Sequence, residues 1–351
     1  MRALRVNADY ELALFEGRAG PKIVNESVEF LALFLEERPL YSQKTYADCY
    51  LRHVEELTGR APRITAAGPA ENWWGSLADL SRERRLNSKE VILPFSAGTA
   101  LVTAVDEFRP RPGTRYLLKS AHGMSGQNFL VWDEATPRVA LAKLLDRCDR
   151  LVAEPLLDRR RDFSHYVLSP ATVICYENLV DERFQYKGTL FSDLRAPDFP
   201  SLSFSGDVSA PVRERFLREF AELRAFVAGL GVAGGYGVDS FTYAAGAETR
   251  VRTISEINYR KTMGLVAWLL SNRFSAGDPW TMFFLARPPK KPDVFTYIRE
   301  RTAGLPGLFY LSPGDTRFEV FLLTAPTAAV GRARLAELRA LLPDCELPVD
   351  V

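Results

Sequence analysis

Residues Gly237 to Gly264, GVDSFTYAAGAETRVRTISEINYRKTMG, alternate in a way that predicts two strands joined by a turn. Asp239 stands near the start of the first strand, which is otherwise apolar and aromatic. After the turn, Glu256, Asn258 and Arg260 alternate with Ile257 and Tyr259. A strand repeats every two residues, so Glu256, Asn258 and Arg260 are expected on one face. If the hairpin sets Asp239 beside that face, two carboxylates and an amide oxygen converge. Such a set suits a hard divalent cation, and an arginine beside it suits phosphate oxygens. The same letters also fit the solvated face of an antiparallel strand on which the arginine pairs with a carboxylate. The rest of the chain decides between the two.

With 351 residues, 47% of them hydrophobic, the chain can bury a large core and fill more than one domain. Its net charge is +1 with acidic and basic residues intermixed, which argues against nucleic acid as a partner. Cys49, Cys148, Cys175 and Cys345 form no CxxC pair, and with 3 histidines a zinc site is not expected. The opening MRALRVNADYELALF lacks a basic segment followed by a long apolar one, and no later run approaches about 20 apolar residues. These features predict a cytoplasmic protein with reduced thiols, no signal peptide and no membrane partner.

Ahead of the hairpin, alternating strands and helices predict an α/β layer. A strand is expected at residues 2–6, then a helix capped by Asn25 with Val28, Leu31, Phe34 and Leu35 inward, stopped by Pro39. A helix at 46–57 and a strand at 63–66 follow, and Trp73 and Trp74 read as bulk at a subdomain boundary, with contact of one of them to a ligand as the alternative. A second organisation begins near Leu86, with a strand at 91–95 and a helix from Ser96 through Phe108. Residues 115–119, RYLLK, read as a strand ending on Lys119, followed by the loop SAHGMSGQ and a strand at 128–132. Gly123 and Gly126 would let backbone amides approach an anion, although two glycines also serve a plain β-turn. The lysine precedes the loop, so this is not a P-loop, and GxGxxG is absent.

A helix at 139–148 leads to the strand 151–157, LVAEPLL, whose Glu154 needs a partner in an apolar run. That partner is either a salt bridge or the hydroxyls of a sugar. Residues Arg159 to Asp162 read as a solvated turn. Strands at 165–168, 172–177 and 183–190 would build an antiparallel sheet, with Lys187 facing a cleft. Val212, Phe216, Phe220, Leu223 and Val227 mark the buried side of an amphipathic helix ended by Gly229 and Gly231. Beyond the hairpin come a helix at 265–274 packed under the site, a helix at 294–301, strands at 308–311 and 317–324, and a helix at 331–342.

This order (lysine-ended strand, glycine hairpin, strand with one carboxylate, antiparallel region, then Asp and Glu-x-Asn on paired strands) resembles the ATP-grasp superfamily over about residues 86–275. The most specific part of the likeness is ISEINYRKTMG. The resemblance implies an α/β and α+β chain in which two subdomains hold ATP between antiparallel sheets. Residues 1–85 would form a pre-ATP-grasp-like α/β domain, 86–288 the ATP-grasp domain and 289–351 a C-terminal α/β extension packing back on the core. It implies that Asp239, Glu256 and Asn258 bind magnesium, with manganese as an alternative, and that Arg260 holds a phosphate or a substrate carboxylate. Lys119 would contact the α-phosphate, Lys89 would be an earlier phosphate-binding lysine, and Ser120, Gly123, Met124, Ser125 and Gly126 would close over the β- and γ-phosphates. Glu154 would accept the ribose hydroxyls, with Asp158 and Asp162 as alternatives, and Lys187 would face the nucleotide. His122 would donate to phosphate or shuttle a proton from an attacking amine, unless it is a surface residue. The loop carries only two glycines, fewer than the commonest family form.

The implied activity is ATP-dependent joining of a carboxylate to an amine through an acylphosphate, with release of ADP and phosphate. A small-molecule or peptide acid and an amine would be the partners, and such enzymes are often homodimers. Phosphoryl transfer to a hydroxyl on the same fold, or nucleotide binding with catalysis lapsed, are the alternatives. Arg183, Lys187 and Arg260 are candidate anchors for an acidic substrate.

Overall fold

A computed structural model of the chain describes residues 2–8, 10, 28–76, 78–122, 128–182, 185–194 and 208–348. Its described strands form three sheets that follow one another along the sequence. β1 (Ala3–Arg5), β2 (Leu40–Tyr41), β3 (Ile64–Thr65) and β4 (Ala70–Asn72) make a small parallel sheet in the order β3-β2-β1-β4. Parallel neighbours need crossovers, and α1 (Leu31–Leu35) and α2 (Asp48–Thr58) supply two of them. Gly59 ends α2 in the left-handed conformation that glycine adopts at least cost. Asn25, the expected cap of α1, lies outside the described residues.

The next segment departs from the sequence reading. After α3 (Leu80–Asn87), residues Lys89–Phe95 form a 3-10 turn rather than a strand. Pro94 lacks the N–H that a ladder requires. The helix expected from Ser96 to Phe108 is instead β5 (Ala100–Val102) and a run of turns. Gly98 takes φ +77, which interrupts any helix there, and the amides of Thr103 and Ala104 donate to the Glu107 carboxylate. β6 (Tyr116–Ser120), β7 (Phe129–Trp132), α4 (Arg138–Cys148) and β8 (Leu151–Pro155) complete an antiparallel sheet ordered β5-β8-β6-β7. Leu141, Leu144 and Leu145 of α4 pack on Leu118, Trp132 and Leu151.

The third sheet has eight described strands. β9 (Asp158–Ser169), β10 (Thr172–Val180) and β11 (Tyr186–Phe191) precede α5 (Ala210–Gly229). The hairpin β12 (Tyr236–Ala245) and β13 (Glu248–Asn258) and helix α6 (Met263–Phe274) come next. β14 (Trp280–Ala286), α7 (Val294–Thr302), β15 (Leu308–Tyr310), β16 (Glu319–Ala325) and α8 (Ala328–Leu341) close the fold. The strand order is β13-β12-β9-β10-β11-β14-β16-β15, and every pairing is antiparallel. Arg159 to Asp162, expected in a solvated turn, lie inside β9. Asp162 pairs with Asn178 and Phe241, and the Arg159 guanidinium sits 3.9 Å from the Phe241 ring centre. β14 was not anticipated, because WTMFFLA is apolar but for Thr281 and shows no alternation. It joins β11 to β16, so the segment beyond residue 288 extends the same sheet.

Two layers flank this sheet. Phe216, Phe220, Leu223 and Val227 of α5 pack on Phe163, Cys175, Val238 and Ile257. On the other face α6 joins a core shared with α1, α2 and the last strands, with the Phe34 and Phe274 rings 6.3 Å apart and the Tyr50 hydroxyl donating to the Leu311 carbonyl at 2.9 Å. The Gly264 backbone lies against Tyr176, whose ring an added Cβ would approach to 2.1 Å. Tyr176 pairs directly with Ser164 and Ser164 with Asp239, so α6 packs on the Asp239 face of the sheet, beside that residue.

Candidate active site

Asp239 lies opposite Glu256 on one side and Ser164 on the other, in the register of β13-β12-β9. Gly237 and Asn258 form the neighbouring pair. The Ser164 hydroxyl donates to one Asp239 oxygen, the Asn258 amide donates to the other at 2.9 Å, and the Asn178 amide donates to Ser164 at 2.5 Å. Asp239 keeps some contact with solvent, yet the surrounding strands strip most of its hydration. Burial and the neighbouring Glu256 carboxylate push its carboxyl up to about 7, against the pull of the Ser164 and Asn258 hydrogen bonds. Two carboxylates on paired positions, with an amide beside them, form a set of hard oxygen donors whose mutual repulsion a divalent cation would relieve. The residues therefore fit magnesium. No group of three or more His, Cys, Asp or Glu side chains suited to a metal occurs among the described residues, so the donor set depends on the amide of Asn258.

The smaller antiparallel sheet stands across a cleft from this face. Lys89, buried at the start of the 3-10 turn, places its ammonium 3.2 Å from Glu256. Its backbone amide donates to the Ala121 carbonyl at 2.7 Å, which ties the turn to the end of β6. Lys119 on β6 pairs with Glu154 on β8 at 2.7 Å. Arg252 of β13 reaches over the cleft to Glu154 at 3.5 Å and donates to the Thr99 hydroxyl at 2.8 Å. Burial opposes the charge of Glu154, but Lys119, Arg252 and Arg159 outweigh it and hold the carboxyl below its ordinary range. Burial, reinforced by Lys89, lowers the pKa of Lys119 despite its pairing with Glu154. Lys89, Lys119, Arg252, Glu154 and the Asp239–Glu256 pair thus form one charged group.

The other expected residues fall at varied distances from that group. Ser120 is buried at the end of β6, and its hydroxyl accepts from the His122 amide at 3.4 Å. Burial first, then Lys89, Arg84 and Arg150, depress the His122 imidazole below its ordinary value. Gly123, Met124, Ser125, Gly126 and Arg183 lie outside the described residues. Of the alternatives to Glu154, Asp158 is exposed and pairs with Arg160 at 2.8 Å, whereas Asp162 shares the site face with Ser164 and pairs with Arg159 at 3.2 Å. The Lys187 ammonium meets Asp181 at 3.0 Å and the Phe318 ring at 6.0 Å. Arg260 leaves the group, because β13 ends at Asn258 and the Arg260 amide turns back to the Asn258 carbonyl. Its half-buried guanidinium lines a separate cavity of about 600 Å³ with Trp73, Trp74, Tyr166 and Glu83. Desolvation there brings Arg260 down to about 10.

Ser164, Asn178 and Arg252 were missed. A strand period places each on a face, but only the pairing register shows that Ser164 meets Asp239 or that Arg252 crosses to Glu154.

No protein-family model and no curated protein sequence matches the chain. Solved structures do. The N5-carboxyaminoimidazole synthetase of Staphylococcus aureus, complexed with ADP, aligns with a TM-score of 0.57 at 10% identity, over 89% of this chain and 94% of that one. The carboxyaminoimidazole ribonucleotide synthase of Aspergillus clavatus, complexed with ATP, gives 0.51 at 13% identity, over 97% and 91%. The same enzyme with ADP and 5-aminoimidazole ribonucleotide gives 0.50 at 13%, over 97% and 92%. The chain has the ATP-grasp fold, with two antiparallel sheets facing across a cleft.

Proposed function

We propose that this protein is an ATP-dependent ligase that joins a carboxylate to an amine, releasing ADP and phosphate. One observation carries the reading: the Asp239–Glu256 pair, with Asn258 beside it, meets the Lys89 ammonium 3.2 Å from Glu256, and Lys119 lies within electrostatic reach of Lys89 and Glu256. Oxygen donors and two ammonium groups thus stand close together, as a metal-chelated polyphosphate requires. Residues 1–85, 86–288 and 289–351 are assigned as preceding domain, ATP-grasp domain and C-terminal extension.

A carboxylate resists direct attack by an amine because its leaving oxygen is too basic. In the proposed route a carboxylate oxygen bonds to the γ-phosphorus while the bond to the β-phosphate oxygen breaks, leaving ADP and an acylphosphate. The amine nitrogen then bonds to the acyl carbon, phosphate departs with its oxygen, and the amine gives up a proton. Asp239, Glu256 and Asn258 would hold magnesium, which would supply charge neutralisation at the phosphate oxygens. Lys119, preset by Glu154, and Lys89, preset by Glu256, hold phosphate oxygens as charge shifts between them. Asp162, on the Ser164 face of β9, would accept the ribose hydroxyls, since Glu154 pairs with Lys119 and Arg252. His122, kept neutral by burial and by nearby cations, accepts the amine proton. Arg260 anchors the substrate rather than a phosphate, since it points into the adjoining cavity.

The test is ADP, AMP and phosphate release from magnesium-ATP over mixed pools of carboxylates and amines, with wild type against Asp239→Asn. ADP and phosphate in equal amounts, dependent on the pool and lost in the variant, support the ligase. ADP with a stable phosphomonoester makes the protein a kinase, and AMP makes the carboxylate activation an adenylation.

A further inference from the structure

Asp239 is oriented by a chain of hydrogen bonds that begins two strands away. A period of two sets Asp162, Ser164 and Tyr166 on one face of β9, with Phe163 and Val167 on the other, in the core beneath α5. The same period sets Tyr176 and Asn178 of β10 on the Ser164 face, Tyr176 paired with Ser164 and Asn178 with Asp162. Asn178 thus stands diagonal to Ser164, and its side-chain amide reaches the Ser164 oxygen at 2.5 Å. Ser164 in turn donates to one oxygen of Asp239 on β12.

Chemistry fixes the direction of this chain. An amide nitrogen can only donate, so Asn178 occupies a lone pair of the Ser164 oxygen and the single hydroxyl proton is left for Asp239. Asn258 does the same at the second Asp239 oxygen, its Nδ2 donating at 2.9 Å, which leaves the oxygen end of that amide for a cation. A carboxylate turns easily about its last torsion, and one donor on each oxygen sets its plane. Both donors are neutral, so they favour the charged carboxylate without offering a competing cation, whereas Glu256 already meets the Lys89 ammonium at 3.2 Å. A buried hydroxyl in this sheet can be satisfied more simply: Ser240, next to Asp239 on β12, donates to the Thr253 carbonyl at 2.6 Å. Ser164, 3% exposed, gives its proton to a carboxylate instead.

Magnesium demands near-ideal octahedral geometry, so a ligand oriented in advance binds it more tightly than one that must first be ordered. We propose that Ser164 and Asn178 are positioning residues for the metal carboxylate: Asn178 fixes the Ser164 hydroxyl, and Ser164 fixes Asp239 for a divalent cation. The role rests on the reading of Asp239 as a magnesium ligand.

The experiment is calorimetric titration of the nucleotide-free protein with magnesium chloride at about pH 9, above the carboxylate range, with urea unfolding of each variant in parallel. Asp239→Asn should abolish binding. Ser164→Ala should weaken it by about 10–100-fold, and Ser164→Thr, which keeps the hydroxyl, should bind within about threefold of wild type. Asn178→Leu keeps the size of the side chain but donates nothing. It should weaken binding by about threefold or more alone and by less than about twofold in the Ser164→Ala background, because Asn178 acts only through Ser164. A general loss of packing would lower stability in urea without this combination of loss, rescue and non-additivity. A folded Ser164→Ala that binds like wild type, Ser164→Thr as weak as Ser164→Ala, or an Asn178→Leu effect undiminished in Ser164→Ala overturns the assignment. No binding by wild type, or binding that survives in Asp239→Asn, overturns it together with the metal site. Should the affinities fall as expected while no pool of acids and amines yields ADP and phosphate, the ligase reading alone falls.

Discussion

Replacing Lys119 by methionine separates the architecture of the cleft from its proposed use. The Lys119 ammonium lies 2.7 Å from Glu154, and the two side chains are 13% and 6% exposed. Arg252 is the second cation on Glu154, at 3.5 Å. Lys119→Met strands the Glu154 charge in a site that water barely reaches. Breaking a buried pair in this way costs about 3–5 kcal/mol, and the surviving Arg252 contact places the expected loss near the lower end, about 3 kcal/mol. Glu154→Leu in the same background removes the stranded charge, so the double variant should recover more than half of that loss. Urea unfolding of the single and double variants reads the difference directly. In Lys119→Met the folded pKa of Glu154 rises above its unfolded value, so the penalty is present above that unfolded value and shrinks as pH falls toward it. Affinity for magnesium-ATP should fall in both variants alike, because neither has the ammonium. A single variant that loses less than about 1 kcal/mol, or a double variant no more stable than the single, refutes the reasoning.

Three further outcomes follow from the same contacts. Glu319 is fully buried, its Tyr310 hydrogen bond at 2.6 Å, and burial raises its carboxyl from 4.5 to about 7. The folded state therefore holds the proton longer than the unfolded one, and at about 1.4 kcal/mol per unit the protein loses about 3 kcal/mol of stability as pH rises from 4.5 to 7. Glu319→Gln should flatten that slope in urea titrations at a series of pH values. Gly264→Ala should destabilise by about 1–3 kcal/mol, since its Cβ would lie 2.1 Å from the Tyr176 ring, and a thermal melt unchanged from wild type would contradict this packing. Magnesium affinity of the protein, measured by calorimetry, should rise about tenfold per pH unit below 7 and level off above it, because Asp239 must lose its proton to bind. Asp239→Asn should abolish both the affinity and its pH dependence.

How much of this was legible in the sequence depends on which interactions are local. Asp239, Glu256 and Asn258 were readable because a period of two, with polar letters set among apolar ones, fixes their face without knowledge of the partners. Arg260 continues that period on paper, yet the backbone bond from its amide to the Asn258 carbonyl ends the strand and sends it into the cavity. The arginines of β9 look like a solvated turn because the partners that hold Arg159 and Arg161 in the sheet, Phe241, Ser255 and Glu177, are distant in sequence, while the local pairs with Asp162 and Asp158 suit a turn equally well. β14 escaped because a strand covered on both faces has no alternation to display. Glu83 offers no signal of its own in SRERRLN, and only the packing of α3 over the cavity shows its carboxylate to be buried.

The central claim, that a carboxylate attacks the γ-phosphate, is tested most directly by following oxygen. Carboxylate pools enriched in oxygen-18 are incubated with magnesium-ATP, an amine pool and the protein, and the phosphate and nucleotide products are weighed by mass spectrometry. An acylphosphate route delivers one labelled oxygen to each inorganic phosphate and none to the nucleotide, and Asp239→Asn abolishes the labelled phosphate. Unlabelled phosphate would show that water, not a carboxylate, took the phosphoryl group, and label in AMP would show that the acid had been adenylated; either result contradicts the mechanism.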